Sequence, residues 1–217
     1  MRYKFYREHK FVSAAVNDVE RLTAQTDFTN QTQTTQLKKI FEGLVLMLMG
    51  HAHYENEALH SLLKAKGSTV CTHIEADHER YKQQLADLET RLHDALSATS
   101  NEHQIELGYQ FYLWLRKFAG DNLLHLHEEE TVILPELQRL YSDEELSKVE
   151  FATYNIMTTE QLIHMMQVLF PHMNAQDHEV FLTDIKACDS VKFAQVWEGI
   201  HTILEPSVRA KLAQKLL

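Results

Sequence analysis

The chain has 217 residues, a formal net charge of −10 and no basic run, which argues against binding to nucleic acid or to an anionic membrane surface. The apolar run over residues 44–49 is far shorter than the roughly 20 residues that a membrane helix needs. Cys71 and Cys188 are too few for a disulfide framework and fit a reducing compartment. The charged and aromatic N-terminus lacks the apolar core of a signal peptide. We therefore expect a soluble cytoplasmic protein.

Helical periodicity dominates the first 141 residues. The whole chain has only three prolines and six glycines, which leaves room for long helices. Four helices are predicted, over residues 4–26, 34–66, 69–98 and 102–141. Gly67 and Ser68 form the stop signal of the second helix, and Pro135 is expected to kink or end the fourth. Since short connections make neighbouring helices antiparallel, the pattern predicts an up-down-up-down four-helix bundle.

Shorter helical segments follow residue 141. Ser142 and Glu145 have the spacing of a capping box, and further helices are expected to end near residues 154, 170, 188, 201 and 217. No alternation of the strand type occurs. The sequence therefore predicts an all-α protein, with a bundle domain over residues 1–141 and a C-terminal helical extension over residues 142–217 that packs on or beside it.

An internal repeat lies in the second and fourth predicted helices. His51 and Glu55 form one His-x-x-x-Glu pair, and His125 and Glu129 form the other. Residues four apart share a helix face, and each pair falls on the apolar stripe of its helix. One histidine precedes each pair on the stripe of another helix, and these are His9 and His78. A repeat of this kind predicts a two-fold pseudo-symmetric metal site.

The chemistry of these residues supports the same interpretation. Imidazoles and carboxylates are costly in an apolar core unless they are hydrogen-bonded or bound to metal. Two transition-metal ions would satisfy the whole set and leave coordination positions open for a small molecule. The predicted metal ligands are His9, His51, Glu55, His78, His125 and Glu129. The predicted solvent-facing histidines are His53, His60, His73, His93, His103 and His127. The carboxylates that could support the ligand rings are Glu20, Glu75, Glu89 and Asp121.

The order His, His-x-x-x-Glu, His, His-x-x-x-Glu across four helices resembles the hemerythrin-like, or HHE cation-binding, family. The resemblance covers roughly residues 1–141, and residues 125–137 look especially like the family's fourth helix. It implies a four-helix bundle around two iron ions, a non-haem di-iron centre with the six residues above as ligands and Glu55 and Glu129 as bridges. Other divalent metals could occupy the same ligands. Members of the family bind oxygen, sense oxygen, redox state or iron, or handle nitric oxide and peroxide.

Two departures from the oxygen-carrying members bear on function. Those members have two histidines four residues apart on the third helix, whereas His73 here lies five residues before His78, on the opposite face. On the fourth helix, those members have an aspartate five residues after the histidine. This chain has Glu130 at that position, and the neighbouring Glu129 is the better placed ligand. Both differences favour the bacterial and regulatory branches. A ferritin-like site built on Glu-x-x-His pairs is disfavoured, because Glu57 and His60 are predicted to face solvent.

Three functions stay open on the sequence. The first is a di-iron protein that binds or senses a small diatomic ligand, oxygen or nitric oxide, or senses iron or redox state. The second is a di-iron enzyme acting on oxygen, peroxide or nitric oxide. The third is a helical adaptor with a structural or regulatory metal, in which residues 142–217 contact a protein partner or a second copy of the chain.

Overall fold

A computed structural model describes residues 3–217, and all regular elements within that range are helical. The α-helices are α1 (His9–Gln25), α2 (Gln31–Tyr54), α3 (Ser61–Ala65), α4 (Thr72–Ser97), α5 (Asn101–Glu128), α6 (Leu134–Leu140), α7 (Asp143–Ile156), α8 (Thr159–Leu169), α9 (Ala175–Cys188), α10 (Ser190–Ile200) and α11 (Pro206–Leu216). Two π-helical turns, Glu55–His60 and Glu129–Ile133, and one 3₁₀ turn, Phe170–His172, complete them. The prediction of an all-α protein with additional C-terminal helices is confirmed.

The chain forms two compact units. The first comprises Val12–Glu136, and the second comprises the residues up to Phe11 together with Leu137–Leu217. None of the helices between Tyr3 and Leu217 is long and apolar enough to span a bilayer.

The first unit is a helical bundle built from α1, α2 with α3, α4 and α5. Each contributes large apolar side chains to one core, such as Val16, Phe41, Leu85 and Phe111, all at most 3% exposed. The Tyr81 hydroxyl of α4 donates a hydrogen bond of 2.8 Å to the carbonyl oxygen of Asp121 on α5.

Side-chain caps and one glycine set the helix ends of the bundle. Asn30 accepts hydrogen bonds from the first backbone N–H groups of α2, and Ser100 does the same for α5. Gly67 has a φ of 73°, and its N–H donates to the Lys64 carbonyl while that of Ser68 donates to Leu63. This is a Schellman ending, which confirms the predicted stop after α3.

Two π-helical turns interrupt the second and fourth predicted helices. The first joins α2 to α3 and the second joins α5 to α6. In the second, the N–H of Leu134 donates to the carbonyl of Glu129, an i→i+5 bond. Each turn begins at the glutamate of one repeat copy, Glu55 or Glu129. Such turns are rare and are frequent at functional sites.

The second unit has its own apolar core and strong caps. The core includes Leu162, Met166, Leu182 and Val196, all 0% exposed. Capping boxes begin α7, α8 and α9 at Ser142, Thr158 and Asn174. The N-terminal segment belongs to this unit, because the backbone N–H of Tyr3 donates to Asp143 (3.0 Å) and its hydroxyl to Asp184 (3.1 Å).

Candidate metal centre

The bundle brings five of the six predicted ligands to neighbouring positions on three helices. His51 lies in the last turn of α2, His78 in α4 and His125 near the end of α5. Glu55 and Glu129 begin the two π-helical turns and are 0% exposed. The sixth, His9, begins α1, is 2% exposed, and has its ring centroid 4.7 Å from that of Tyr6. Its role as a ligand stays a prediction.

The imidazole nitrogens and carboxylate oxygens of four buried residues converge. The Nε2 atoms of His78 and His125 are 2.9 Å apart. Glu129 Oε1 lies 3.3 Å from His125 Nε2 and 3.6 Å from His78 Nε2. Together with Glu55, these residues offer donor atoms that all lie within 4.8 Å of one another.

The two oxygens of Glu55 face different histidines. Oε1 lies 3.3 Å from His51 Nε2, and Oε2 lies 3.4 Å from His78 Nε2. A carboxylate that bridges two metal ions presents its oxygens to two separate sets of ligands. Glu55 therefore offers one oxygen to each of two histidines, as a bridging carboxylate would.

Proton affinities at the centre follow from the same contacts. Burial opposes a charge on His78, but hydrogen bonds and charges from Glu129 and Glu55 outweigh it and raise the pKa of His78 to about 9. Burial and the charge of Glu55 act to raise the pKa of Glu129, yet hydrogen bonds with His125 and His78 bring it below its usual value. Without metal, the centre therefore favours protonated His78 beside an ionised Glu129.

The donor set fits a transition metal. Two Nε2 atoms at 2.9 Å need a proton or a cation between or beside them, since two lone pairs repel at that distance. His125 Nδ1 is buried and has no hydrogen-bond partner among the described residues, with Asp77 Oδ2 4.0 Å away. Imidazole and carboxylate donors suit iron, zinc, copper and manganese in different degrees, and ligation by metal would satisfy nitrogens that the protein leaves facing one another.

A small cavity of about 30 Å³ lies against this cluster. A water molecule needs roughly 10–15 Å³ of such space, so there is room for a molecule of about two heavy atoms. Asn122 also lines the cavity; it is 5% exposed, and its Oδ1 has no hydrogen-bond partner in the described part of the chain. The other lining residues include the candidate ligands His51, Glu55, His78 and His125 and the apolar Leu48, Phe118 and Leu126.

The prediction that His60 faces solvent is wrong. The residue is 0% exposed, and its ring stacks on that of His78 with centroids 5.7 Å apart and planes at 10°. The prediction assumed a regular α-helix, but the π-helical turn Glu55–His60 adds residues to that turn and rotates His60 inward. Burial lowers the pKa of His60 against the opposing charge of Glu55. The other histidines predicted to be solvated are exposed: His53, His73, His93, His103 and His127.

Sequence reasoning also missed two asparagines. Asn56 Oδ1 lies within hydrogen-bond distance of two histidine rings, 2.9 Å from His78 Nδ1 and 3.1 Å from His60 Nδ1. Asn122 lies four residues after Phe118 and three before His125, so the periodicity that placed His125 on the buried stripe also places Asn122 there. No equivalent signal identified Asn56, because its position depends on the π-helical turn.

Three of the four carboxylates considered as supports for ligand rings have other partners. Glu75 Oε1 lies 3.4 Å from Nδ1 of the buried His60, which is not one of the predicted ligands. Asp121 accepts hydrogen bonds from Gln84 and Lys117. Glu20 lies 3.9 Å from Arg116.

His60, Cys71 and Glu75 form a further group whose donor atoms lie within 4.8 Å of one another. Burial raises the pKa of the Cys71 thiol, which disfavours the thiolate that metals bind. The ammonium of Lys64 lies 2.6 Å from Glu75 Oε1. This group therefore fits an ion pair beside a buried histidine better than a second metal centre.

Comparison with known proteins agrees with the geometry. The family profile described as "Hemerythrin HHE cation binding domain" matches residues 1–137. The chain belongs to this family. The chain is also similar to F-box/LRR-repeat protein 5 of Danio rerio, with 34% identity over 101 residues, which is 46% of this chain and 14% of that protein. The chain thus matches a small part of that relative's length. No solved structure matches it.

Proposed function

We propose that the chain is a non-haem di-iron protein that binds or senses a small diatomic ligand, oxygen or nitric oxide, or senses iron or redox state. The observation that carries this proposal is the cavity of about 30 Å³ beside the His/Glu cluster. Its volume suits a diatomic molecule. Two iron ions, when bound, would supply redox chemistry and open coordination positions.

The residues of the chain have separate tasks in this proposal. Glu55 presents one oxygen to His51 and the other to His78, and it would bridge the two ions together with Glu129. His9, His51, His78 and His125 would complete the ligand set by their ring nitrogens. Leu48, Phe118 and Leu126 make most of the cavity wall apolar and limit water near the ligand.

Asn122 would supply the polar contact to the bound molecule. Its amide lines the cavity and is 5% exposed, and Oδ1 has no hydrogen-bond partner among the described residues. The Nδ2 group of this amide would donate a hydrogen bond to a ligand in the cavity, which would accept it. This contact would favour a ligand that carries partial negative charge.

An enzyme acting on oxygen, peroxide or nitric oxide is the second candidate. The cavity of about 30 Å³ has room for these small molecules as well, so the reactants of both candidates overlap. Repeated turnover by the iron-loaded chain, lost in Glu129→Gln, would favour the enzyme. A reaction that stops after one equivalent would favour the sensor.

A regulatory module in a larger assembly is the third candidate. The similar relative is named for F-box and leucine-rich repeats and matches over 14% of its length, which supports a role for this kind of chain as one part of a larger assembly. In this chain, the helices after residue 141 would provide the contact surface. Sedimentation of the full chain with and without iron tests whether association depends on the metal.

Free Cys71 and Cys188 support a reducing, cytoplasmic location.

Metal content per chain is the deciding measurement. The full-length protein is loaded anaerobically with ferrous iron, analysed for bound metal, and examined by absorption spectroscopy before and after exposure to oxygen or nitric oxide. Two irons and a new charge-transfer band are expected. One metal or none, with the helical content unchanged, would contradict the di-iron proposal, and two irons without any spectral change would contradict ligand binding.

A further inference from the structure

We infer that Asn56 and His60 are positioning residues that hold the His78 ring in the tautomer with hydrogen on Nδ1, so that Nε2 points its lone pair at the metal position. This inference rests on the proposed metal centre. It concerns residues outside the predicted ligand set, which lie within the first π-helical turn.

The geometry places one amide oxygen between two rings. Asn56 Oδ1 lies 2.9 Å from Nδ1 of His78 and 3.1 Å from Nδ1 of His60. On the other side of the His78 ring, Nε2 lies 2.9 Å from His125 Nε2 and 3.4 Å from Glu55 Oε2. The two nitrogens of His78 therefore face different surroundings, with the amide at one and the ligand cluster at the other.

The hydrogen positions follow from the outermost residue inward. The ammonium of Lys64 forms an ion pair with Glu75, with 2.6 Å between Nζ and Oε1, so this carboxylate acts as an acceptor. The same oxygen lies 3.4 Å from His60 Nδ1, which favours a hydrogen on that nitrogen. The Asn56 atom that faces His60 Nδ1 must then be the carbonyl oxygen, because an amide NH₂ would meet a second donor.

The same oxygen fixes the state of His78. A carbonyl oxygen has two lone pairs and accepts two hydrogen bonds, so His78 Nδ1 must also carry a hydrogen. Nε2 of the neutral ring is then left with the lone pair that ligation needs. Metal-binding histidines commonly donate their other N–H to an oxygen in this way, and here one asparagine serves a ligand histidine and a non-ligand histidine together.

His60 also restrains the ring mechanically. The rings of His60 and His78 stack at 10° with centroids 5.7 Å apart, which limits rotation of His78 about its side-chain bonds. His60 is 0% exposed, and its Nε2 has no hydrogen-bond partner among the described residues. A buried imidazole with one unsatisfied nitrogen is unfavourable by itself, and its bond to Asn56 compensates for part of that cost.

The test compares Asn56→Ala with Asn56→Asp, which keeps an acceptor oxygen, and with Glu57→Ala as a matched control at an exposed position of the same turn. Ferrous iron is titrated anaerobically against a competing chelator. Loss of such a supporting bond typically lowers metal affinity about 10–100-fold, so we expect that loss for Asn56→Ala. We expect near wild-type affinity for Asn56→Asp and for Glu57→Ala.

Ring N–H signals provide a readout that needs no metal. In the metal-free wild type, NMR of ¹⁵N-labelled histidines should show a slowly exchanging hydrogen on His78 Nδ1, lost in Asn56→Ala and kept in Asn56→Asp. Retention of that signal in Asn56→Ala, together with unchanged iron affinity, would overturn the inference. Failure of the wild type to bind iron would instead defeat the proposed function, while the N–H signal would still decide the role of Asn56.

Discussion

The two repeat copies leave their α-helices at the same point, but they differ in what holds the π-helical turn in place. In the second copy, Pro135 follows the turn by two residues. Proline lacks an N–H and clashes with the carbonyl four residues earlier, which gives that turn a local cause. The first copy has no proline. Its turn contains Asn56 and His60, whose contacts reach His78 on α4.

Equivalent positions of the two copies show where the copies agree and where they diverge. Leu59 and Ile133 are both 0% exposed, so the copies stay in register through the glutamate and the next helical turn. Asn56, by contrast, corresponds to the exposed Glu130. The centre therefore has approximate symmetry in its predicted ligands and none in the residues that contact them. His78 is held by an amide and a stacked ring, whereas His125 Nδ1 has no hydrogen-bond partner in the described part of the chain.

The largest loss of iron affinity is expected when Glu129, the glutamate of the second copy, is replaced. Glu129→Gln removes a buried carboxylate that faces both His78 and His125, and iron affinity should fall by more than about 100-fold, the upper end of losses seen for supporting residues alone. The adjacent Glu130 is exposed and gives the matched control Glu130→Gln, expected to bind iron as the wild type does. Chelator competition measures both. Equal losses in the two variants, or a loss confined to Glu130→Gln, would show that the ligand is misassigned.

Periodicity predicted most of this architecture because the signals are local. The stop at Gly67, the cap at Ser142 and the burial of Glu55 and Glu129 follow from backbone geometry and 3.6-residue spacing. The inward position of His60 could not be predicted, since no proline or other local signal marks the first π-helical turn in the sequence. The association of Tyr3 with Asp143 and Asp184 was missed for a similar reason: it joins residues more than 100 positions apart.

The pH dependence of the metal-free protein probes His78, which contacts the glutamates of both copies. Its pKa is raised to about 9, above the unfolded value of about 6.5. The folded state therefore binds more protons between these values, and the free energy of unfolding should fall as the pH rises from about 6.5 through 9. Urea unfolding at several pH values measures this.

The His78→Gln variant is the control for that titration. Glu150, whose pKa burial raises to about 8, also lowers stability over part of the range, and it does so in both proteins. The difference between wild type and His78→Gln isolates the histidine. Parallel curves for the two proteins would mean that the contacts with Glu55 and Glu129 do not hold a proton on His78.

A moderate effect is expected for Asn122→Leu, which tests whether the cavity serves a ligand. The leucine removes a buried amide whose Oδ1 has no hydrogen-bond partner among the described residues, so the free energy of unfolding should rise by about 1–3 kcal/mol. Loss of one hydrogen bond to the ligand should weaken oxygen or nitric oxide binding by about tenfold. Stopped-flow absorption with the iron-loaded chain measures the affinity, and denaturation measures the stability. Greater stability with unchanged affinity would remove Asn122 from the proposed ligand contact.

The smallest effect is expected for Pro135→Ala, which tests the local cause of the second turn. Alanine restores an N–H that can donate to the carbonyl of Thr131, so α5 can continue as a regular helix past Glu129. Alanine also gives the unfolded chain more conformational freedom, which opposes the gain from the restored hydrogen bond. Because the position is exposed as well, the free energy of unfolding should change by only about 1 kcal/mol. Glu129 lies before the altered bond, so iron affinity should stay within about twofold. The acceptor of the Leu134 N–H decides the cause and can be read from NMR couplings across hydrogen bonds. Donation to the Glu130 carbonyl would mean that proline imposed the π-helical turn, whereas continued donation to the Glu129 carbonyl would mean that the placement of Glu129 imposes it.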